Sequence, residues 1–244
     1  QDFERVIHET CKRSGYKEIR TPIFEDTKVF SRGVGEDSDI VSKEMYSWED
    51  RDGTSLTLRP ELTAAVVRSY IQHNLGKLSP IQRMYYIGPL FRRERPQKGR
   101  QRQFNQFGIE AFGSENPELD AEVISIAWNI LVDYEISEIS SLQLNSIGST
   151  ECRDKYRGAL KDFIRPNLNH LSETSKNRFK TNPLRILDTK SEDERQLLEN
   201  APTISDYYTD EDRRHFESLQ QFLSAMDISF IINPKLVRGL DYYS

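Results

Sequence analysis

Apolar and polar residues alternate along this chain with two different periods. Phe3, Val6, Ile7 and Cys11 share one helical face and Gly15 ends the run, which predicts a helix over 2–14. Tyr16 to Pro22 (YKEIRTP) reads as an extended strand entering a proline. Residues 45–50 and 54–59 flank Arg51-Asp52-Gly53, and Asp-Gly between such runs predicts a hairpin. At Arg59-Pro60-Glu61-Leu62-Thr63 the strand gives way to a helix, with Pro60 in the first turn and Ala64 to Val67 continuing it. Met84 to Gly113 then reads as two apolar strands joined by a polar loop. Asn116-Pro117 opens a helix carrying Leu119, Val123, Ile126, Ala127 and Ile130, and Ser141 to Ile147 alternates as another strand.

From 148 to 228 the character changes. Charged residues dominate, Tyr156, Leu160, Phe163 and Ile164 recur at helical spacing, and Asn182-Pro183 and Ala201-Pro202 interrupt the run. Ser229 to Ile232 reads as a strand returning to the first sheet. The expectation is an α+β protein: an antiparallel sheet flanked by helices over 1–147, a mostly helical insertion over 148–228, and a return to the core over 229–244.

Composition narrows the class. The 244 residues are 36% hydrophobic and 30% charged with a net charge of −5, enough to bury a core. No apolar run approaches a membrane span, and the opening QDFERVIHETCKRSG is charged throughout, unlike a secretory leader. Cys11 and Cys152 are far apart and the four histidines are scattered, so neither a disulfide framework nor a metal site is expected. A reducing, cytoplasmic location follows as the default.

Against the negative net charge, Arg92 to Arg102 (RRERPQKGRQR) concentrates six cations around one anion, Glu94. Pro96 and Gly99 break any helical continuation, which leaves these cations on a hairpin loop. Arginine forks in that arrangement suit polyphosphate or a nucleic-acid backbone. In the strand that follows, QFNQFGIEAFG, alternation puts Asn105, Phe107, Ile109 and Ala111 on one face. The other carries Gln106, Gly108 and Glu110 between Phe104 and Phe112. A glycine between two polar side chains leaves room for something to approach the sheet; a half-solvated strand is the plain alternative. Glu61 and Thr63 sit at a strand-to-helix junction, where Glu61 either meets a ligand or complements the helix dipole. Gly33 and Gly35 complete no phosphate-loop pattern. An Arg-Gly turn, Arg238-Gly239, precedes Tyr242 and Tyr243.

FRRERPQKGRQRQF with QFGIEAFG resembles motif 2 of class II aminoacyl-tRNA synthetases in its histidyl-tRNA synthetase form. LVRGLDYY at 236–243 is similar to that family's histidine motif, and TLRPELTAAVVR at 57–68 is also matched, as is the end of motif 1, TPIFE at 21–25. The resemblance covers almost the whole chain in the family's order. It implies ATP-dependent activation of L-histidine to histidyl-adenylate and transfer to the acceptor end of tRNA(His), by a homodimer, with Mg²⁺ accompanying ATP. Carried over residue by residue, it puts Arg92 on the α-phosphate, Arg100 on the outer phosphates with Glu94 and Gln106 beside the nucleotide, and Arg238 on the reacting α-phosphate. Glu61, Leu62 and Thr63 would hold the histidine amino end. Gln106, Glu110, Arg238, Tyr242 and Tyr243 would frame the rest of the amino acid, and the motif 2 loop, Gln97 included, would lie near the tRNA end. No counterpart of the family's motif 3 or anticodon domain is recognised in 1–244, so a fragment is expected. Two other classes share the resemblance: a histidine-sensing regulatory subunit of ATP phosphoribosyltransferase, and a synthetase-like RNA-binding module. Retention of Arg92, Arg100 and the KGRQRQF run argues against both.

Overall fold

The first helix, α1 (Asp2–Arg13), buries Val6, Ile7, Thr10 and Cys11 and stops at Gly15, whose φ of +78° suits glycine. The computed structural model describes residues 1–34, 44–94 and 98–237, the side chains of 33 and 34 apart. Two compact units divide these residues, Gln1–Glu138 and Ile139 onward. Strand β1 is short, Lys17–Glu18, and pairs in parallel with β5 (Gln82–Phe91). Strand β2 (Phe24–Asp26) leads into helix α2 (Thr27–Val34). The predicted hairpin is present as β3 (Tyr46–Glu49) and β4 (Ser55–Leu58), with Gly53 at φ +85° and β2 completing an antiparallel three-stranded sheet.

Helix α3 (Thr63–Gln72) begins three residues later than Pro60, which corrects the expected start. Arg59 is still held by strand-type pairing: its N–H donates to Ile23 O at 2.9 Å, and Phe91 N–H donates to Arg59 O at 3.0 Å. Residues 60–62 are therefore an arm between strand and helix. Strands β5 and β6 (Gln103–Phe112) form a ten-residue antiparallel ladder running from Gln82 opposite Phe112 to Phe91 opposite Gln103. One face packs Tyr85, Ile87, Phe107, Ile109 and Ala111 on α1 and on α4 (Pro117–Asp133), which supplies Ile126 and Ile130. On the other face Met84, Tyr86, Leu90, Phe104 and Phe112 meet Leu62 and Val66. The alternation read from QFNQFGIEAFG is the alternation observed.

The second unit is mostly helical: α5 (Thr150–Ile164), α6 (Glu173–Thr181), α7 (Glu192–Leu197) and α8 (Asp210–Ala225), with short 3₁₀ turns between them. Ser149 Oγ accepts from Cys152 N–H at the start of α5, and Thr209 with Asp212 forms a capping box on α8. Tyr156, Leu160 and Ile164 face the core, as their spacing predicts, with Phe163 partly buried against it; Cys152, Leu171 and Ile186 join them. Strand β7 spans only Gln143–Leu144, and β8 (Ile231–Ile232) pairs with it in parallel. Among the described residues β8 thus adds to β7 inside the second unit, and no pairing with β5 or β6 is seen. No helix among them is long and apolar enough to cross a membrane.

Candidate active site

The second face of the β5–β6 ladder gathers the candidate site residues. Tyr86 lies directly opposite Gly108, Gly88 opposite Gln106, and Met84 opposite Glu110. Both glycines are close-approach positions. A Cβ on Gly108 would sit 2.2 Å from the Tyr86 hydroxyl oxygen, and one on Gly88 would sit 2.5 Å from Arg59 Nη2. The room left by Gly108 is thus taken by the protein's own Tyr86 ring, which is only 6% exposed. Arg59, 5% exposed, occupies the space over Gly88. Its Nε donates to Pro89 O at 2.9 Å and its Nη1 to Thr21 O at 2.8 Å. These bonds tie the end of β4 to β5 and to the segment before β2. Burial lowers the guanidinium pKa from its ordinary value.

The arm over 60–62 brings Glu61 to this face. Glu61 is buried, and its Oε1 accepts from Ala64 N–H at 2.9 Å at the start of α3. The dipole role foreseen for Glu61 is therefore real but uses one oxygen. Its Oε2 is also buried and accepts no hydrogen bond. Thr63, one residue into the helix, donates from Oγ1 to Glu110 Oε1 at 2.7 Å, and the Tyr86 hydroxyl donates to the same oxygen at 3.0 Å. Burial raises the pKa of both carboxyls. At Glu61 the N–H groups of Ala64 and Thr63 restrain the rise and the field of Glu110 adds a little to it; at Glu110 the two hydroxyls restrain it. Two carboxylates on one face, Glu61 buried with an unmatched oxygen and Glu110 half-buried, suit a ligand that brings positive charge and N–H donors.

Arg92 follows β5. Its Nε donates to Pro60 O at 2.9 Å, and its guanidinium carbon lies 5.2 Å from the centre of the Phe104 ring. Anchored at Nε to the arm that carries Glu61, it places a permanent cation beside the carboxylate recess. Gln106 is exposed on the same face. Arg100 Nη1 lies 3.1 Å from Glu94 Oε2 as an ion pair. The structure thus brings together Glu61, Leu62, Thr63, Glu110, Gln106 and Arg92. Arg238, Tyr242, Tyr243 and Gln97 lie outside the described residues, as do Pro96 and Gly35. Tyr86 and Arg59 were not foreseen. Tyr86 had a usable signal, an aromatic residue falling opposite a strand glycine once the hairpin register is drawn. Arg59 had none, because its partners are main-chain carbonyls. Among the described residues no group of three His, Cys, Asp or Glu could hold a metal ion.

The family model described as Histidyl-tRNA synthetase matches residues 1–244. A histidine–tRNA ligase of Protochlamydia amoebophila (strain UWE25) is 50% identical over 244 residues, covering 100% of this chain and 57% of that protein. One from Bacillus velezensis is 50% identical over 246 residues and is covered to 58%. The chain therefore spans somewhat over half the length of these curated relatives. The apo structure of S. aureus histidyl-tRNA synthetase superimposes with a TM-score of 0.76 at 38% identity, over 99% of this chain and 54% of that one. A Bacillus halodurans structure titled as an ATP phosphoribosyltransferase regulatory subunit/histidyl-tRNA synthetase shares the fold, with a TM-score of 0.58 at 20% identity.

Proposed function

The chain belongs to the histidyl-tRNA synthetase family, and on that premise we propose that its first unit binds L-histidine and ATP and joins them as histidyl-adenylate. The observation that carries the reading is the recess itself: Glu61 with an unmatched buried oxygen, Glu110 held by Thr63, and Arg92 tied to the same arm. The amino acid's ammonium meets Glu61, and an imidazole N–H meets Glu110. Glu61 at the α3 end and Glu110 on β6 then grip the two nitrogen-bearing ends of one small molecule.

Arg92 neutralises charge on the α-phosphate as the histidine carboxylate attacks phosphorus and pyrophosphate leaves. The carboxylate oxygen–phosphorus bond forms as the bond to the β-phosphate oxygen breaks, so little covalent work falls on the protein and positioning dominates. Gln106, on the open part of the face, borders the substrates. Arg238, Tyr242 and Tyr243 complete the site in this reading through their match to the family motif. Arg100, with Glu94, serves the outer phosphates. Mg²⁺ would accompany the nucleotide, held mainly by its phosphates. Transfer to tRNA(His), a cytoplasmic setting and the helical insertion's approach to the acceptor end belong to the same reading. Homodimerisation does too, supported by Ile23 and Phe24 of the segment resembling motif 1 and by Trp48 against Phe24, which stay 47%, 51% and 41% exposed.

Calorimetric titration of the chain with L-histidine, followed by histidine-dependent ATP–pyrophosphate exchange, tests the proposal. Arg92→Ala is expected to keep histidine binding within about threefold while exchange falls at least about a hundredfold, the loss of a transition-state contact. Absence of histidine binding, or equal loss of binding and exchange in the variant, would overturn it.

A further inference from the structure

Glu110 offers two oxygens, and the structure treats them differently. Oε1 receives both hydroxyl donors on this face, Thr63 Oγ1 at 2.7 Å and Tyr86 Oη at 3.0 Å. The two hydroxyls are themselves 3.3 Å apart. Each has one proton, and a carboxylate can only accept, so both protons are committed to Oε1. That leaves Oε2 as the oxygen with capacity for an incoming donor. We propose that Tyr86 is a positioning residue for substrate selection, pinning Glu110 through Oε1 so that Oε2 is fixed toward an imidazole N–H; this rests on the histidine reading of the recess.

The seat for this device is Gly108. Tyr86 can lie across β6 only because no Cβ is there, since one would fall 2.3 Å from the ring carbon bearing the hydroxyl and 2.5 Å from its neighbour Cε2. The ring is buried among Leu62, Val66, Met84 and Leu90, which leaves it little freedom to leave the carboxylate. Burial also raises the phenol pKa well above its ordinary value, which keeps the hydroxyl a donor at working pH. Selectivity follows from the lack of give. A ring without an N–H leaves Oε2 facing it unpaired, and the carboxylate, tethered through Oε1, cannot turn away to find water. The wrong ligand is rejected because relaxation is blocked.

The test compares equilibrium binding of L-histidine and of β-(4-thiazolyl)-L-alanine, a ring of similar size without an N–H. Both are titrated into the chain, Tyr86→Phe, Gly108→Ala and Glu110→Gln, with thermal melts to verify folding. Tyr86→Phe is expected to weaken histidine about tenfold and the thiazolyl analogue less than about twofold, the loss of one hydroxyl bond to a charged group. Gly108→Ala, whose Cβ pushes the ring and its hydroxyl aside while leaving the phenol chemically intact, is expected to shift the ratio the same way. Should the wild-type chain bind neither ligand, or Glu110→Gln leave the preference intact, the histidine reading itself falls. Should Glu110→Gln abolish the preference while Tyr86→Phe and Gly108→Ala keep it, or weaken both ligands equally, the positioning role of Tyr86 is overturned.

Discussion

Glu61→Gln is expected to make the ligand-free chain more stable and a worse binder of histidine. Glu61 is 5% exposed, and its Oε2 is buried with no hydrogen-bond partner. Leaving a buried acceptor unmatched costs about 1–3 kcal/mol, more when it is charged. Burial raises its pKa above the ordinary 4.5, against the N–H groups of Ala64 and Thr63, which pull it down, and with a smaller push from the field of Glu110. The folded state then holds the proton more tightly than the unfolded chain does. The contribution of this carboxyl to stability is accordingly full below about pH 4.5 and is lost as pH rises through the raised value. Glutamine keeps an oxygen for Ala64 N–H and removes the charge. It also gives up the favourable contact of a carboxylate with the start of α3, worth about 0.3–1 kcal/mol. The difference is a net gain of about 1–2 kcal/mol near pH 7.5, or roughly 2–8 °C in the melting of the first unit for a chain of this size. Near pH 4 the wild-type carboxyl is already protonated, and the gain should shrink toward zero. Histidine affinity should fall about a hundredfold, the usual scale for removing one member of a buried charge pair. Circular-dichroism melts at the two pH values, with calorimetric titration of histidine, measure all three effects. A lower melting temperature at about pH 7.5, or an equal rise at both pH values, would refute the account of Glu61 as an uncompensated buried charge.

Three further outcomes follow from the same geometry. Arg59→Met should destabilise the first unit by about 3 kcal/mol, because it strands the carbonyls of Thr21 and Pro89 that the guanidinium now satisfies; urea melts measure it. Arg92→Lys should impair exchange far more than histidine binding, since lysine cannot both hold Pro60 O through an Nε donor and present a guanidinium; KM for histidine and kcat, measured separately, decide it. In the second unit Glu194 behaves oppositely to Glu61. Burial works against its charge, yet bonds from Thr189 Oγ1, Ser172 N–H and Ser175 Oγ hold its pKa down at about 2. Its contribution, about 3 kcal/mol, is present above about pH 4.5 and lost as pH falls toward 2. Glu194→Gln should therefore flatten the acid side of the second unit's stability profile, followed by hydrogen exchange.

Much of this architecture was legible because it rests on local rules. The Asp-Gly turn, the Asn-Pro helix start and the period-2 run through Phe107, Ile109 and Ala111 each depend on residues close in sequence, and each is observed. What the pattern misjudged depends on partners distant in sequence. Pro60 is compatible with a helical first turn, but Arg59 is held extended by Ile23 and Phe91, 36 and 32 residues away, so α3 starts at Thr63. On Ile231 and Ile232 the pattern is silent rather than wrong: they form a strand as read, and only the fold shows that they pair with Gln143 and Leu144.

The site shows the same division more sharply. Glu61, Thr63, Gln106, Glu110 and Arg92 stand out from the strand alternation, the strand-to-helix junction and the cationic loop, and motif resemblance assigns their roles, but neither tells how neighbours hold them. Their supporting side chains, Tyr86 and Arg59, fill the space over Gly108 and Gly88, the two strand glycines of this face. A glycine reads in a sequence as room for a ligand, but the room can equally seat the protein's own aromatic ring or guanidinium. On this face both glycines do the latter. Either choice buries a polar group that must be satisfied, and here each one is aimed at main chain or at a site carboxylate: Arg59 at Pro89 O and Thr21 O, Tyr86 at Glu110. The expectation that Gly108 admits substrate to the sheet is thereby replaced by one with a different mutational signature. A ligand-approach glycine replaced by alanine would block histidine and the thiazolyl analogue alike, whereas a seat for Tyr86 replaced by alanine would loosen Glu110 and degrade the choice between them.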